Sequence, residues 1–396
     1  MQIEEKGSYR ISLLHLGFRP FFLLGTLFSV IVVALWLWIL SYGGWLATSE
    51  LTVFQWHAHE MLYGYTVAVI AGFLLTAVGN WTGKQTLSGL PLLILSLLWL
   101  AARAMPFIDH PQAMPIMASL DIIFNLGLAV AVLVPIMQVR QWKHLAIWSK
   151  VLLLLAGNVL FYLGVFNLLD NGIQLGIYTG LYIILSLMML MGRRVIPFFI
   201  EKGVDASVTI KNYRWLDLSS LFLMLGFIIF EVFIVIPQWA TILAALLAVL
   251  HGIRLWGWYT KGIWKKPLVW VLYLGYMWIV IGFVLRALSG WFEIDQMLSV
   301  HAFAYGAIGT ITIGMMARVA LGHSGRDVFN PPKAVSTMFI LLLLGSVARV
   351  LMPLLLPGNT STWIFTSQIL WILAFAEFVF VYASMLIKPR IDGKYG

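Results

Sequence analysis

The sequence predicts an all-α fold, a polytopic bundle of twelve transmembrane helices, and three observations carry that reading. Of 396 residues, 61% are hydrophobic and 10% are charged, whereas soluble domains carry roughly 25% charged residues. Apolar runs long enough to cross ~30 Å of hydrocarbon as helix, ~20 residues each, recur twelve times. When those runs are threaded back and forth, all but three of the 25 lysines and arginines fall on one side, as the sorting of basic residues to the cytoplasmic face requires.

In chain order the runs lie near 21–41, 57–78, 88–106, 115–137, 146–168, 174–191, 216–236, 238–257, 267–288, 298–317, 334–356 and 363–386. Strict alternation of apolar and polar residues is absent, which argues against a membrane barrel. The first run follows a polar stretch and is long enough to stay in the bilayer, so no cleaved signal peptide is expected. Lys6, Arg10 and Arg19 precede the first run, and further basic clusters follow every second run, the densest being Arg193, Arg194, Lys202, Lys211 and Arg214. The expectation is one transmembrane domain with both termini cytoplasmic. The net charge of +9 then reports topology, and no nucleic-acid partner is expected beside membrane lipid. The absence of cysteine excludes disulfides, thiolate catalysis, iron–sulfur clusters and cysteine zinc sites.

Arg103, Arg286 and Arg349 break the sorting rule, each at the outer end of an odd-numbered span. A snorkelling arginine accounts for any one of them. Three together point to an anionic partner on the outer side, such as carboxylates held by bidentate hydrogen bonds. Acids inside the spans are few. Asp121 and Glu231 read as structural partners for arginine, Glu60 sits near the start of span 2, and Glu377 near mid-membrane is the candidate for proton or substrate handling.

Eight histidines are the remaining chemistry. His57, His59 and His301 open spans 2 and 10 on the outer side, and His15, His251 and His323 sit at inner ends of spans 1, 8 and 10. His110 and His144 fall in boundary segments and read as solvated. A gapless shift of 242 residues aligns His59 with His301, Tyr63 with Tyr305, Gly64 with Gly306, Gly72 with Gly314 and Gly83 with Gly325. That is an internal repeat in residue types that carry meaning. An offset of eight helices suits three pseudo-symmetric four-helix units. Span 6 would be the middle counterpart, with Tyr178, Gly180 and Gly192 but Gln174 in place of the histidine. Two imidazoles at equivalent depth are what axial coordination of a haem iron needs, with Tyr63, Gly64, Tyr305 and Gly306 lining room for the ring. His57 is two residues from His59, ~200° away around a helix, and faces elsewhere. His57, His15, His251 and His323 are candidates for a second haem or for copper. The bland alternative for each is a buried or interfacial histidine with ordinary hydrogen-bond partners.

Four motifs together resemble the NnrS family: His15-Leu16-Gly17-Phe18-Arg19-Pro20-Phe21-Phe22, Trp56-His57-Ala58-His59-Glu60-Met61, Gly192-Arg193-Arg194-Val195-Ile196-Pro197-Phe198-Phe199, and His301-Ala302 with Gly322-His323-Ser324-Gly325-Arg326. The resemblance implies a haem- and copper-containing protein of the bacterial inner membrane, linked to denitrification and to tolerance of nitric oxide. It implies haem b, one or two, with copper as a further candidate, nitric oxide or a small nitrogen-oxide ligand as partner, and an electron donor. The layout is also similar to the catalytic subunit of haem–copper oxidases and nitric oxide reductases, whose low-spin haem is held by histidines of helices 2 and 10. Spans 6 and 7 here lack the copper-binding histidines of those enzymes.

The leading expectation is thus a membrane protein in which His59 and His301 hold haem iron and Arg103, Arg286 and Arg349 meet the propionates. If it is an enzyme, it is an oxidoreductase acting on nitric oxide or a related nitrogen oxide. The competing expectations are a non-redox transporter or sensor for a small anion, and an assembly protein without cofactor.

Overall fold

The computed structural model describes residues 11–43, 46, 50–204 and 208–396, so Lys6 and Arg10 lie outside the described residues. Twelve helices are long and apolar enough to cross a membrane: α1 (Phe18–Tyr42), α2 (Val53–Thr82), α3 (Leu90–Phe107), α4 (Ala113–Gln138), α5 (Trp142–Val165), α6 (Gly172–Gly203), α7 (Arg214–Phe233), α8 (Pro237–Gly257), α9 (Pro267–Ser289), α10 (Gln296–His323), α11 (Ala334–Leu355) and α12 (Pro357–Ile387). No strand occurs among the described residues. Each expected span has its helix. With no water in the hydrocarbon, a spanning segment must satisfy its backbone internally, and helix is the form that does so.

The largest departure is at α6, expected to stop at 191 and observed to run 32 residues, to Gly203. Arg193 and Arg194 end an apolar run but do not end a helix, and ~48 Å of helix reaches well past the hydrocarbon. The ends that are sharp have local causes. Thr52 and Gln55 form a reciprocal capping box at the start of α2, which satisfies two otherwise orphaned amide donors. The Asp295 side chain accepts from the Met297 amide at the start of α10. Prolines 237 and 267 open α8 and α9, where a missing N–H costs nothing.

The chain divides into two compact units. The first comprises residues up to Ile183 with Met316–Asp327 and Phe375–Gly396, and the second comprises Ile184–Met315 with Val328–Ala374. The division falls inside α6, α10 and α12 rather than after every fourth helix.

Charged side chains inside the first unit have assigned work. Arg19 is fully buried, and its guanidinium donates to the carbonyls of Met385, Leu386, Lys388 and Gly396. It thereby caps the C-terminal end of α12, where four carbonyls lack helical partners. The Gly83–Gly325 repeat pair is also explained. Both adopt left-handed backbone, at φ 68° and 78°, just past the ends of α2 and α10, a conformation that glycine reaches without a Cβ clash.

Candidate functional site

Four π-helical turns interrupt the spans among the described residues: Glu60–Thr66, Ile229–Phe233, Ala302–Gly309 and Val347–Leu351. Each contains or directly follows a residue singled out above: Glu60 after His59, Glu231, the segment after His301, and Arg349. A π turn adds a residue to the helix and re-aims side chains, and such turns concentrate at functional positions. The two π turns that follow His59 and His301 give the 242-residue repeat a structural counterpart.

In the first unit, His59 is fully buried in a polar cluster. Its Nδ1 lies 3.1 Å from Glu60 Oε1 and its Nε2 lies 3.0 Å from Asn158 Oδ1. Arg103 joins Glu60, with Nη1 donating to Oε2 at 2.8 Å, to Asp121, which its Nη2 also meets. The Tyr162 hydroxyl donates to Asp121 Oδ2 at 2.6 Å. The ring of Phe161 stacks on His59 at 4.4 Å. Gly64 makes room for this ion pair, because a Cβ there would sit 2.8 Å from Glu60 and 2.9 Å from Arg103. Its carbonyl accepts from Trp99 Nε1 at 3.0 Å. Tyr63 passes between helices. Its hydroxyl donates to the Gly176 carbonyl at 2.6 Å, and Gly157 and Gly180 leave the space that its ring end fills. His57 faces away and stacks on Trp36 at 4.4 Å.

The inner histidines of this unit attend the C-terminal segment. His15 stacks on Tyr395 at 4.5 Å, and the Tyr395 hydroxyl donates to the His15 carbonyl. His323 Nε2 lies 3.3 Å from the Asn80 amide nitrogen, and its carbonyl accepts from Arg390.

In the second unit, His301 Nδ1 lies 2.8 Å from the Met297 carbonyl and Nε2 lies 2.9 Å from Arg349 Nη2. Guanidinium has donors only, and a carbonyl accepts only, so the ring is neutral with its proton on Nδ1. Tyr305 repeats the role of Tyr63, its hydroxyl donating to the Ser367 carbonyl at 2.7 Å. The space beside Gly306 is filled by the Trp278 indole. Arg286 forms a bidentate pair with Glu231, at 2.8 Å from Nε and 2.5 Å from Nη2.

His251 stands apart. It is fully buried, its Nδ1 lies 2.7 Å from the Tyr276 hydroxyl, and its Nε2 is buried with no hydrogen-bond partner. Trp258 packs on Tyr276 at 4.8 Å, and Gly192 lets the Tyr276 ring approach α6. A buried imidazole nitrogen without a partner costs roughly 1–3 kcal/mol. Anchoring one ring nitrogen while leaving the other free is how proteins orient a metal-ligating histidine. Among the described residues, no group of three or more His, Asp or Glu side chains is placed to hold a metal ion.

Asp121 with Arg103 and Glu231 with Arg286 are the arginine partnerships that the sequence pointed to. Arg349 meets an imidazole instead of a carboxylate. Asn158, Tyr162 and Tyr276 are site residues that sequence reasoning missed. A mid-span asparagine was the available signal for the first unit. Nothing in the sequence ties Tyr276 to His251.

Fold and buried polar groups together define a multi-pass helical membrane protein with histidine and ion-pair clusters inside its spans. The family described as NnrS protein matches residues 12–390, and the chain belongs to that family. No curated protein matches the sequence.

Proposed function

We propose that this is a haem-containing protein of the bacterial inner membrane, both ends cytoplasmic, that binds, turns over or protects against nitric oxide. Membership of the NnrS family fits a nitric-oxide-related role in general. The observation that carries the haem reading is the free Nε2 of His251, buried and aimed by the Tyr276 hydroxyl. A bound haem b, held through His251, would supply an iron centre able to bind nitric oxide. The haem would be non-covalent, because thioether attachment needs cysteine and the chain has none.

The chain's own contribution follows from its hydrogen bonds. For His251 to present the Nε2 lone pair, Nδ1 carries the proton and donates to Tyr276, which fixes the tautomer and strengthens the nitrogen as a ligand. Phe283 lies nearly parallel to the ring, with centroids 6.1 Å apart. The pairing of His59 with His301 is the second reading, favoured by the π turns that follow both residues. It requires His301 to give up Arg349 and His59 to give up Asn158 or Glu60. Arg103 and Arg286 already face Glu60, Asp121 and Glu231, so a propionate at either would share the guanidinium with those carboxylates. Copper belongs to the same proposal as a candidate at His15 or His323.

A visible spectrum and pyridine haemochrome assay of the purified protein test the reading, with iron and copper quantified alongside. A Soret band with reduced α and β bands is expected, lost in His251→Ala and retained in His59→Ala and His301→Ala. Retention in His251→Ala with loss in the other two transfers the ligand role to the repeat pair. Protein that folds and holds no haem overturns the proposal and leaves the small-anion transporter or sensor.

A further inference from the structure

The Gly192-Arg193-Arg194 motif touches the His251 cluster only through its glycine, which meets the Tyr276 ring. α6 carries it beyond the apolar run, beside the start of α7, where a cavity of about 350 Å³ is lined by Arg193, Arg194, Phe198, Asn212, Glu201 and Asp217. We propose that this cavity binds a phosphate-type oxyanion, supplied in the membrane by the headgroup of an anionic phospholipid.

Both carboxylates of the cavity are already engaged. Asp217 accepts from Arg254 Nη2 at 3.0 Å through Oδ1 and from Arg193 through Oδ2. Glu201 Oε1 accepts from the Ile210 amide at 2.8 Å. Arg194 is exposed and has no hydrogen-bond or ion-pair partner among the described residues. Arg193 spends one Nη1 donor on Asp217 and keeps the rest of its fork. Three guanidinium groups against two carboxylates leave excess positive charge at this spot. Guanidinium forks match phosphate oxygens geometrically. The Asn212 carbonyl oxygen is 3.4 Å from Trp258 Nε1, which leaves its amide donors for a ligand.

Two observations place the cavity at headgroup depth. Tyr213 and Trp215, 50% and 52% exposed, lie at the start of α7, between the cavity residues Asn212 and Asp217 in sequence. Exposed Tyr and Trp mark the level where hydrocarbon meets water. Lys202, Lys211 and Arg214 surround the same loop, the basic side of the molecule. Phe198, 51% exposed on the cavity wall, offers an apolar face to an acyl chain. Basic pockets between spans at this level suit anionic headgroups. The proposal does not depend on haem.

Native mass spectrometry and thermal unfolding of the full chain in a neutral detergent test it, after delipidation, with phosphatidylglycerol, phosphatidylcholine or inorganic phosphate added. Phosphatidylglycerol is expected to bind and raise the unfolding midpoint, phosphatidylcholine to do neither. Arg194→Gln, an exposed change that leaves the fold intact, should weaken phosphatidylglycerol binding about tenfold, the equivalent of one charge-assisted contact of ~1.4 kcal/mol. Lys333→Gln, a basic residue elsewhere, should not. Competition by inorganic phosphate at matched concentration supports oxyanion recognition and names the free ion as the source. Equal binding of the two lipids, or unchanged affinity in Arg194→Gln, overturns the proposal.

Discussion

Arg349 donates from Nη2 to Nε2 of His301 across 2.9 Å, one π turn facing another. The same imidazole is tied by Nδ1 to the carbonyl of Met297 one turn earlier. An arginine that breaks the charge-sorting rule is thus held by a histidine, and the Nε2 of that histidine is covered by the arginine. Removing the guanidinium by Arg349→Leu should cost roughly 1.5–3 kcal/mol, the range for hydrogen bonds to charged groups. Equilibrium unfolding in mixed micelles measures it, and an unchanged midpoint would show that the contact contributes nothing.

The Glu60–Arg103–Asp121 network is the more expensive one to break. All three side chains are at most 2% exposed. Arg103→Leu strands two buried carboxylates and should destabilise by about 3–5 kcal/mol, whereas neutralising all three positions together should cost far less. The comparison of single and triple variants checks this. A triple variant as unstable as Arg103→Leu would mean that packing, not charge, sets the cost.

Tyr63 fills the space left by two glycines on neighbouring helices. A methyl group at Gly180 would come within 2.7 Å of the Tyr63 hydroxyl. Gly180→Ala should therefore cost about 1–3 kcal/mol through overpacking. Much of that cost should vanish on a Tyr63→Leu background, so a double-mutant cycle gives a coupling energy well away from zero. Strict additivity would be inconsistent with this packing.

If His251 holds iron, Tyr276 sets its basicity. Tyr276→Phe should lower haem affinity by about 10–100-fold, as loss of an outer-shell partner does. It should also raise the reduction potential, because the imidazole becomes a weaker donor. Tyr63→Phe, in the first unit, should move neither quantity. Redox titration alongside haem quantification separates a positioning role from a general loss of stability, which would lower haem content in both variants alike.

Span count and helix class were legible because both follow from local arithmetic: an apolar run of sufficient length has one way to cross hydrocarbon. The repeat was legible too, since His59/His301 and Gly83/Gly325 recur at a fixed offset, and it has matching π turns and matching left-handed glycines. Asp121 and Glu231 were recognisable as arginine partners because an isolated acid in a span needs a cation. The glycines beside Tyr63 and Tyr305 were read as room for a cofactor, and the space next to Gly64 and Gly306 is occupied by Glu60, Arg103 and Trp278.

Sequence alone therefore determined how often this chain crosses the bilayer, which residue types are too costly to be there without purpose, and which family it resembles. Only the tertiary structure decided the partner of each buried group: Asn158 for His59 from 99 positions away, Arg349 for His301, and Tyr276 for His251 with one nitrogen left over. The reason is physical. Crossing a membrane is enforced residue by residue along one helix, while a hydrogen bond between helices depends on which faces meet, and no periodicity in a single helix records its neighbour's face.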